Sequence, residues 1–410
     1  MTPLLSGVRV LELSAVVMGP FAGQILADLG AEVIKIEPLA GDIARTTDPV
    51  RDGRGAMFLN NNRNKKVIAL DLKSAEGRAI AARLVTSSDV LLHNMRVEAI
   101  ERLGLGFEAA RVLNPRIIHC SAIGFGQGGR YRDRPAFDDI IQAASGLAGL
   151  SMGLGGDPSF IPTNLADKVG ALYTVYGILA ALVARAGGAG EAMKIEAPMF
   201  EAVTSFLLNE HLAGATFGDD ADGMGYKRLF ARDRRPFRTL DGWVAALPYT
   251  LPQWTRFFQE VERPDILSAP WFADAVQRNK RIEYLYGELA EALAARTTDA
   301  WIQALTALDI PCSPVRSIGD LIDDPHLQDV GFFQPHGDYP EGVVRALPQP
   351  VRFEGFERQP DRAAPSLGAD TREILAGCGY GGGEIDRLIA TGVVLDGAVA
   401  PAVTVAAVAG

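Results

Sequence analysis

The sequence is poor in cysteine: 410 residues contain three, Cys120, Cys312 and Cys378, far apart and forming no CxxC pair. That set excludes a disulfide framework and a thiolate zinc site, and predicts a reducing, cytoplasmic setting. Histidine is scarce too: the five (93, 119, 211, 326, 336) show no HxxxH or related ligand spacing, so no metal is expected. Neither GxxxxGK(S/T) nor GxSxG occurs, which removes P-loop chemistry and the serine nucleophile elbow. Long apolar runs are missing as well. The longest, 169–184, is rich in Ala and Gly and falls short of the ~20 residues a membrane span needs. The start, MTPLLSGVRVLELS, lacks a basic stretch followed by an apolar one, so no secretory signal is expected. Positive charge is also short: the net charge is −10, and the sequence pI is about 5.1. A broad nucleic-acid surface is therefore excluded, although a local basic pocket for an anionic ligand is not.

What is present is an alternation. Apolar runs of strand type (8–13, 31–37, 66–72, 89–95, 116–124) are separated by helical stretches at 19–30, 74–88 and near 97–103. Pro20 sits near the first turn of one helix and Gly30 at its end. Ser74, with Glu76 and Gly77 behind it, reads as the start of another. Strands alternating with helices imply βαβ units and a parallel, doubly wound sheet, with ligands beyond the carboxyl ends of its strands. A long helix over 168–185 follows, then a strand and helix within 191–214. The polar, Gly-rich 217–225 is a linker candidate. Beyond it, 234–248 reads as a hairpin turning at Asp241-Gly242, with helices near 252–262, 280–296 and 299–308. The domain organisation expected is a large α/β domain over 1–215, a small domain over 226–325, a C-terminal segment over 326–395, and an Ala/Val-rich tail, 396–410.

Three local features bear on chemistry. GFGQGG (124–129) matches GxGxxG after a strand, but RYRDRPAF follows instead of an apolar-faced helix. It reads as a flexible glycine loop, whose N–H groups could still close over a ligand. Lys35, Arg63, Lys65, Lys66, Lys73, Arg96 and Arg102 recur at predicted strand ends. Singly each is a surface charge; together they would form a phosphate-binding rim. Asp167 heads the long helix, where it could be an N-cap or a nucleophile toward an activated acyl group. His119-Cys120 sits mid-strand and reads as core.

Taken together, LSGVRVLELSAVVMGPFAGQILADLGAEVIKIEP, NNRNKKVIALDLKSAEG, DVLLHNMR, LGLGFEAARVLNPRIIHCSAIGFGQGG and PTNLADKVGALYTVYGILAAL resemble the class III coenzyme A transferases, the CaiB–BaiF family. The resemblance runs from Leu5 to about Gly379 and takes in RPFRTLDGW, DIPCSPV and DDPHLQDVGFF. It implies a Rossmann-like large domain with a parallel sheet, a smaller α+β domain, and two chains interlocked as a homodimer. The C-terminal segment would return to the large domain. By position, the family's nucleophilic aspartate falls on Asp167. Its coenzyme A contacts fall on Val17, Met18, Pro38, Leu70, Asp71, Leu72, Lys73, Asn94, Met95, Arg96, Arg102, Arg134, Pro135, Ala136 and Phe137.

The activity implied is transfer of coenzyme A from an acyl-CoA to a carboxylic acid, through an aspartyl anhydride and an aspartyl-CoA thioester. Coenzyme A is substrate, and no tightly bound cofactor, metal, nucleic acid or membrane is implied. Two departures narrow it. The formyl-CoA branch has glutamine and arginine where this chain has Val17 and Pro38, so formyl-CoA with oxalate is disfavoured. The racemase branch has a histidine where this chain has Phe137, ahead of Asp138, so two-base proton exchange lacks a base. An acyl-CoA racemase or isomerase, and a non-catalytic CoA-binding protein, stand as the alternatives.

Overall fold

Strand β1 (Arg9–Leu13) is buried on both faces, as befits a central parallel strand: Val10, Leu11 and Leu13 are core, and the buried Glu12 is paired with Lys35 and Lys65. The computed structural model describes residues 3–51, 54–218, 223–336, 344–356 and 362–397. Residues 219–222 of the linker candidate and 398–410 of the tail lie outside them. After β1 come α1 (Met18–Asp28), β2 (Glu32–Glu37), the short antiparallel strands β3 (Val50–Arg51) and β4 (Arg54–Gly55), α2 (Ala56–Asn62), β5 (Lys65–Leu70) and α3 (Ala75–Thr86). The chain continues with β6 (Val90–His93), α4 (Val97–Arg102), α5 (Phe107–Leu113), β7 (Ile118–Ile123), α6 (Asp138–Ala144), α7 (Leu165–Ala186), β8 (Met193–Pro198) and α8 (Met199–His211). Helix α3 starts as its sequence predicts: Ser74 Oγ accepts the Gly77 N–H at 2.9 Å.

The chain divides into two compact units, 1–148 with 160–206 and 332–410, and 149–159 with 207–331. The first holds a sheet in the order β14-β5-β2-β1-β6-β7-β8, parallel except for its edge strand β14 (Val394–Leu395), and a separate antiparallel pair, β12 (Gln334–His336) and β13 (Val344–Ala346). Side chains alternate between its faces. Leu11, Leu13, Ile34, Ile36, Ile68 and Leu70 pack with α3 and with two C-terminal helices into one core cluster. The opposite face places Glu12 beside Lys35 in register, with Lys65 beside Val33. The 362–397 stretch adds to the sheet edge. There β14 pairs with β5, and the Asp370 carboxylate accepts the Val67 N–H at 2.8 Å. Helix α7 has 22 residues, enough by length and composition to cross a bilayer; one face of it packs against α1, β7 and β8, while Leu172, Tyr176 and Val183 are exposed.

The second unit has its own core. Strands β9 (Phe237–Arg238), β10 (Trp243–Ala246) and β11 (Cys312–Pro314) form an antiparallel sheet. The predicted hairpin turn is present, with the Thr239 N–H bonded to the Gly242 carbonyl at 3.0 Å. Helix α9 (Leu251–Glu260) opens on a capping box between Thr250 and Gln253. Its Trp254, Phe257 and Phe258 pack with Tyr286 and Trp301 from the following helices.

Candidate functional site

The strand order reverses beside β1: β2 and β5 lie on one side, β6, β7 and β8 on the other. Loops leaving β1 and β6 therefore part, opening a crevice at the carboxyl ends of the strands. A cavity of about 250 Å³ occupies that place. Ala15 to Met18 after β1, Asn94 to Glu98 after β6, Ala122 to Phe125 at the end of β7, Arg132 to Phe137, Met199 and Asp167 line it.

Of the positions assigned by resemblance, the structure brings Val17, Met18, Asn94, Met95, Arg96, Arg134, Pro135, Ala136, Phe137 and Asp167 to this cavity. Pro38, Leu70, Asp71, Leu72, Lys73 and Arg102 do not line it. Leu70 is core; Pro38, Lys73 and Arg102 are exposed.

Helix α7 begins three residues earlier than its apolar run suggests, so Asp167 is its third residue and Asn164 takes the cap position. Among the described hydrogen bonds none ends on the Asp167 carboxylate, so it does not cap its own helix. Its main-chain N–H is taken by Asp138 Oδ1 at 2.9 Å. Asp138 is itself buried and accepts from Gln142 Nε2 at 2.6 Å, while Gln142 Oε1 accepts the Ile161 N–H at 2.9 Å. Burial first, then the nearby Asp138 charge, push the Asp167 carboxyl up to about 7 against the pull of Lys168. The other lining carboxylates, Glu98 and Asp133, are exposed.

Neighbouring candidates are chemically quiet. Cys120 is buried in β7 and its thiol is pushed up to about 12 by burial. His93 is pushed down to about 3 by burial and by His119, and it bonds Ser121 Oγ at 2.9 Å. Among the described residues no group of three or more His, Cys, Asp or Glu side chains could hold a metal ion.

Close packing brings α7 to α1. A Cβ on Gly170 would lie 2.7 Å from Met18 Cε and 3.1 Å from Met199 Cγ, so the missing side chain lets two cavity residues pack one turn after Asp167. Likewise Gly124 makes room for Ala136.

Two expectations are corrected. Residues 124–137 form a loop with no helix directly after β7, but the N–H of Gly126 is bonded to Glu201 (3.0 Å) and that of Gln127 to Glu196 (3.3 Å). Those donors are committed to the protein, not offered to a ligand. The basic rim is also smaller than the sequence suggests. Lys35 and Lys65 are wholly buried against Glu12, Arg63 pairs with Asp28, and Lys66 with Glu32 and Glu373. Charges of that kind are held by internal partners, and a linear sequence does not show which lysine points inward. Arg96, Arg132 and Arg134 are the cations that line the cavity, the last stacked over Tyr131 at 4.0 Å. Asp138, Gln142 and Asp42 were not singled out as functional; only the acid following Phe137 hinted at the first.

CoA-transferase family III matches residues 5–371. A succinate–glutarate CoA-transferase of Agrobacterium fabrum is 31% identical over 91% of this chain and 95% of its own length. The alpha subunit of a succinyl-CoA–L-malate CoA-transferase from Chloroflexus aurantiacus is 31% identical over 90% and 88%. The crystal structure of a CAIB/BAIF family protein from Brucella suis superposes with a TM-score of 0.79 at 28% identity, covering 92% of this chain and all of that one.

Proposed function

The chain belongs to CoA-transferase family III, and from that premise we propose that it moves coenzyme A between carboxylic acids with Asp167 as the nucleophile. The observation that carries the reading is a half-buried carboxylate, with no hydrogen bond of its own among those described, lining a cavity at the strand-order reversal. Raised basicity makes it a stronger nucleophile than an exposed aspartate, while it is still substantially ionised near neutral pH.

An Asp167 oxygen attacks the donor thioester carbon. The C–S bond breaks, giving a mixed anhydride and CoA thiolate. The thiolate attacks the aspartyl carbonyl and expels the donor carboxylate, leaving an aspartyl-CoA thioester. The acceptor carboxylate attacks that carbonyl, forming a second anhydride and freeing the thiolate again. Attack of the thiolate on the acceptor acyl carbon then yields the new acyl-CoA and restores Asp167. Each step exchanges one activated acyl for another, so the balance needs neither ATP nor an added oxidant. Water must be kept out, because it would hydrolyse the anhydride; the apolar flank of Val17, Met18, Phe125 and Met199 serves that end.

Arg96, Arg132 and Arg134 suit the phosphates of coenzyme A. Dicarboxylates such as succinate are the acids to try first, given the names of the relatives. The proposal includes an interlocked homodimer, to be checked by light scattering. Phe137 stands where a racemase would need a second base, which speaks against proton exchange.

The test is to mix the enzyme with succinyl-CoA, quench with hydroxylamine, and measure the mass of the peptide carrying Asp167. A hydroxamate on Asp167, lost together with transfer activity in Asp167→Ala, is expected. No adduct, with transfer surviving Asp167→Ala, overturns the reading.

A further inference from the structure

One cluster of charges has no part in the covalent steps above. Beneath the turn that walls the cavity lie Glu12, Lys35, Asp42 and Lys65, their side chains closed to solvent. Lys35 Nζ is 3.1 Å from Glu12 Oε1 and 3.1 Å from Asp42 Oδ2, and it donates to the Ser14 carbonyl at 2.5 Å. Asp42 Oδ1 accepts the Val16 N–H at 3.2 Å. On the other side of the turn, Asn94 accepts the Ala15 N–H at 3.0 Å and donates to the Ala15 carbonyl at 2.8 Å.

The turn needs such holding. Val16 has φ +70°, a left-handed conformation that a β-branched residue avoids and keeps only where its surroundings over-determine it. Burial by itself would strip the charge from Lys35, but Glu12, Asp42 and Glu37 more than reverse that. Burial likewise opposes ionisation of Asp42, yet Lys35 and the N–H groups of Ala44 and Val16 keep it below the usual carboxylate range. Both groups are thus favoured in their charged forms and held by buried partners, and neither lines the cavity, whereas Ala15, Val16, Val17 and Met18 do.

We propose that Asp42 and Lys35 are positioning residues for acyl transfer: they lock the Ala15–Met18 turn, with Val16 left-handed, as a rigid wall that holds the thioester in line with Asp167. The inference rests on the acyl-transfer reading of Asp167. Attack on a carbonyl needs a near-contact approach, and a displacement of about 1 Å costs about 100-fold in rate.

The experiment follows single-turnover formation of the Asp167 adduct from succinyl-CoA in the full-length chain, beside calorimetric binding of free CoA and a melting curve. For Asp42→Ala the expected result is adduct formation slowed about 100-fold, with CoA affinity within about threefold. Asp42→Asn keeps an oxygen for the Val16 N–H and is expected to lose only about 5- to 10-fold. Arg63→Met, which removes a buried pairing away from the turn, should leave the adduct rate per folded molecule unchanged. Folded Asp42→Ala reacting at the wild-type rate overturns the proposal. So does a slowing matched by the loss of CoA binding. If Asp42→Ala does not fold, a wild-type rate in Asp42→Asn overturns it.

Amide hydrogen exchange separates this inference from the reading beneath it. Asp42→Asn should speed exchange in the peptide covering residues 15–18 whether or not Asp167 forms an adduct. Unchanged exchange there sinks the positioning role alone; a wild-type enzyme that forms no adduct sinks the acyl-transfer reading alone.

Discussion

The main-chain N–H of Asp167 donates to the carboxylate of Asp138 at 2.9 Å. One acid thus fixes the backbone that carries the other, and its charge also works against ionisation of that neighbour. The same side chain fixes the position of Asp167 and adds to the basicity that burial already gives it.

A pH profile follows from that basicity. An attacking carboxylate must be ionised, so kcat/KM should rise with pH and level off above about 7, the value to which burial and Asp138 push Asp167. An ordinary surface aspartate would place that limb near 4. A profile flat between pH 5 and 8 contradicts the assignment.

Asp138→Asn tests the origin of the shift. Asn keeps an oxygen for the Asp167 N–H and removes the charge that raises its pKa. The acid limb should move to lower pH, while the plateau rate falls by about tenfold or less, since a less basic nucleophile attacks more slowly. A limb that stays in place would leave burial as the sole cause.

Asp167 also links stability to pH. Its carboxyl is raised in the folded chain from an ordinary 3.8 to about 7. A raised carboxyl stabilises the fold below the unfolded value and loses that contribution as pH climbs through the folded one. Asp167→Asn should therefore be more stable than the parent at pH 8, by about 1–3 kcal/mol after allowing for partial exposure, and the gain should shrink toward pH 4. Urea titrations at the two pH values measure it.

Gly170→Ala probes the packing of α7 on α1. The added Cβ would sit 2.7 Å from Met18 Cε, the far end of a flexible side chain, and 3.1 Å from Met199 Cγ. Met18 can move, so a stability loss of about 1–2 kcal/mol is expected. Because Met18 lines the cavity, KM for acyl-CoA should change together with the melting temperature.

Glu12→Gln leaves Lys35 and Lys65 facing each other without their shared carboxylate. Breaking a buried pair on one side costs about 3–5 kcal/mol, read as a lower denaturation midpoint. Lys65, pushed down to about 8 mainly by burial, with Glu12 resisting, would then lose its proton more readily.

Much of the first unit was legible because local rules and tertiary packing agree there. Val8 to Leu13, Ala31 to Glu37 and Arg116 to Gly124 are mainly apolar runs broken by single polar residues, and each contains an observed parallel strand. Ser74 reads as a cap and acts as one. The short helices α2, α5 and α6 were not foreseen, since seven residues span only two turns and show little periodicity. Lys35 and Lys65 were misleading for another reason: a lysine within an apolar strand looks the same whether it reaches solvent or a buried acid.

The order of motifs along the chain was enough to determine the family, the α/β alternation and the identity of Asp167 as the acid to examine. Those depend on residue type and spacing, which are properties of a line. What only the tertiary structure decided is the environment of that acid. Asp138 lies 29 residues before Asp167, and Asp42 lies 26 residues after the Val16 it holds. Pairings across such distances arise when the sheet closes and the helices pack. Burial, charge and backbone strain at the site are therefore set by the fold as a whole, where no local pattern records them.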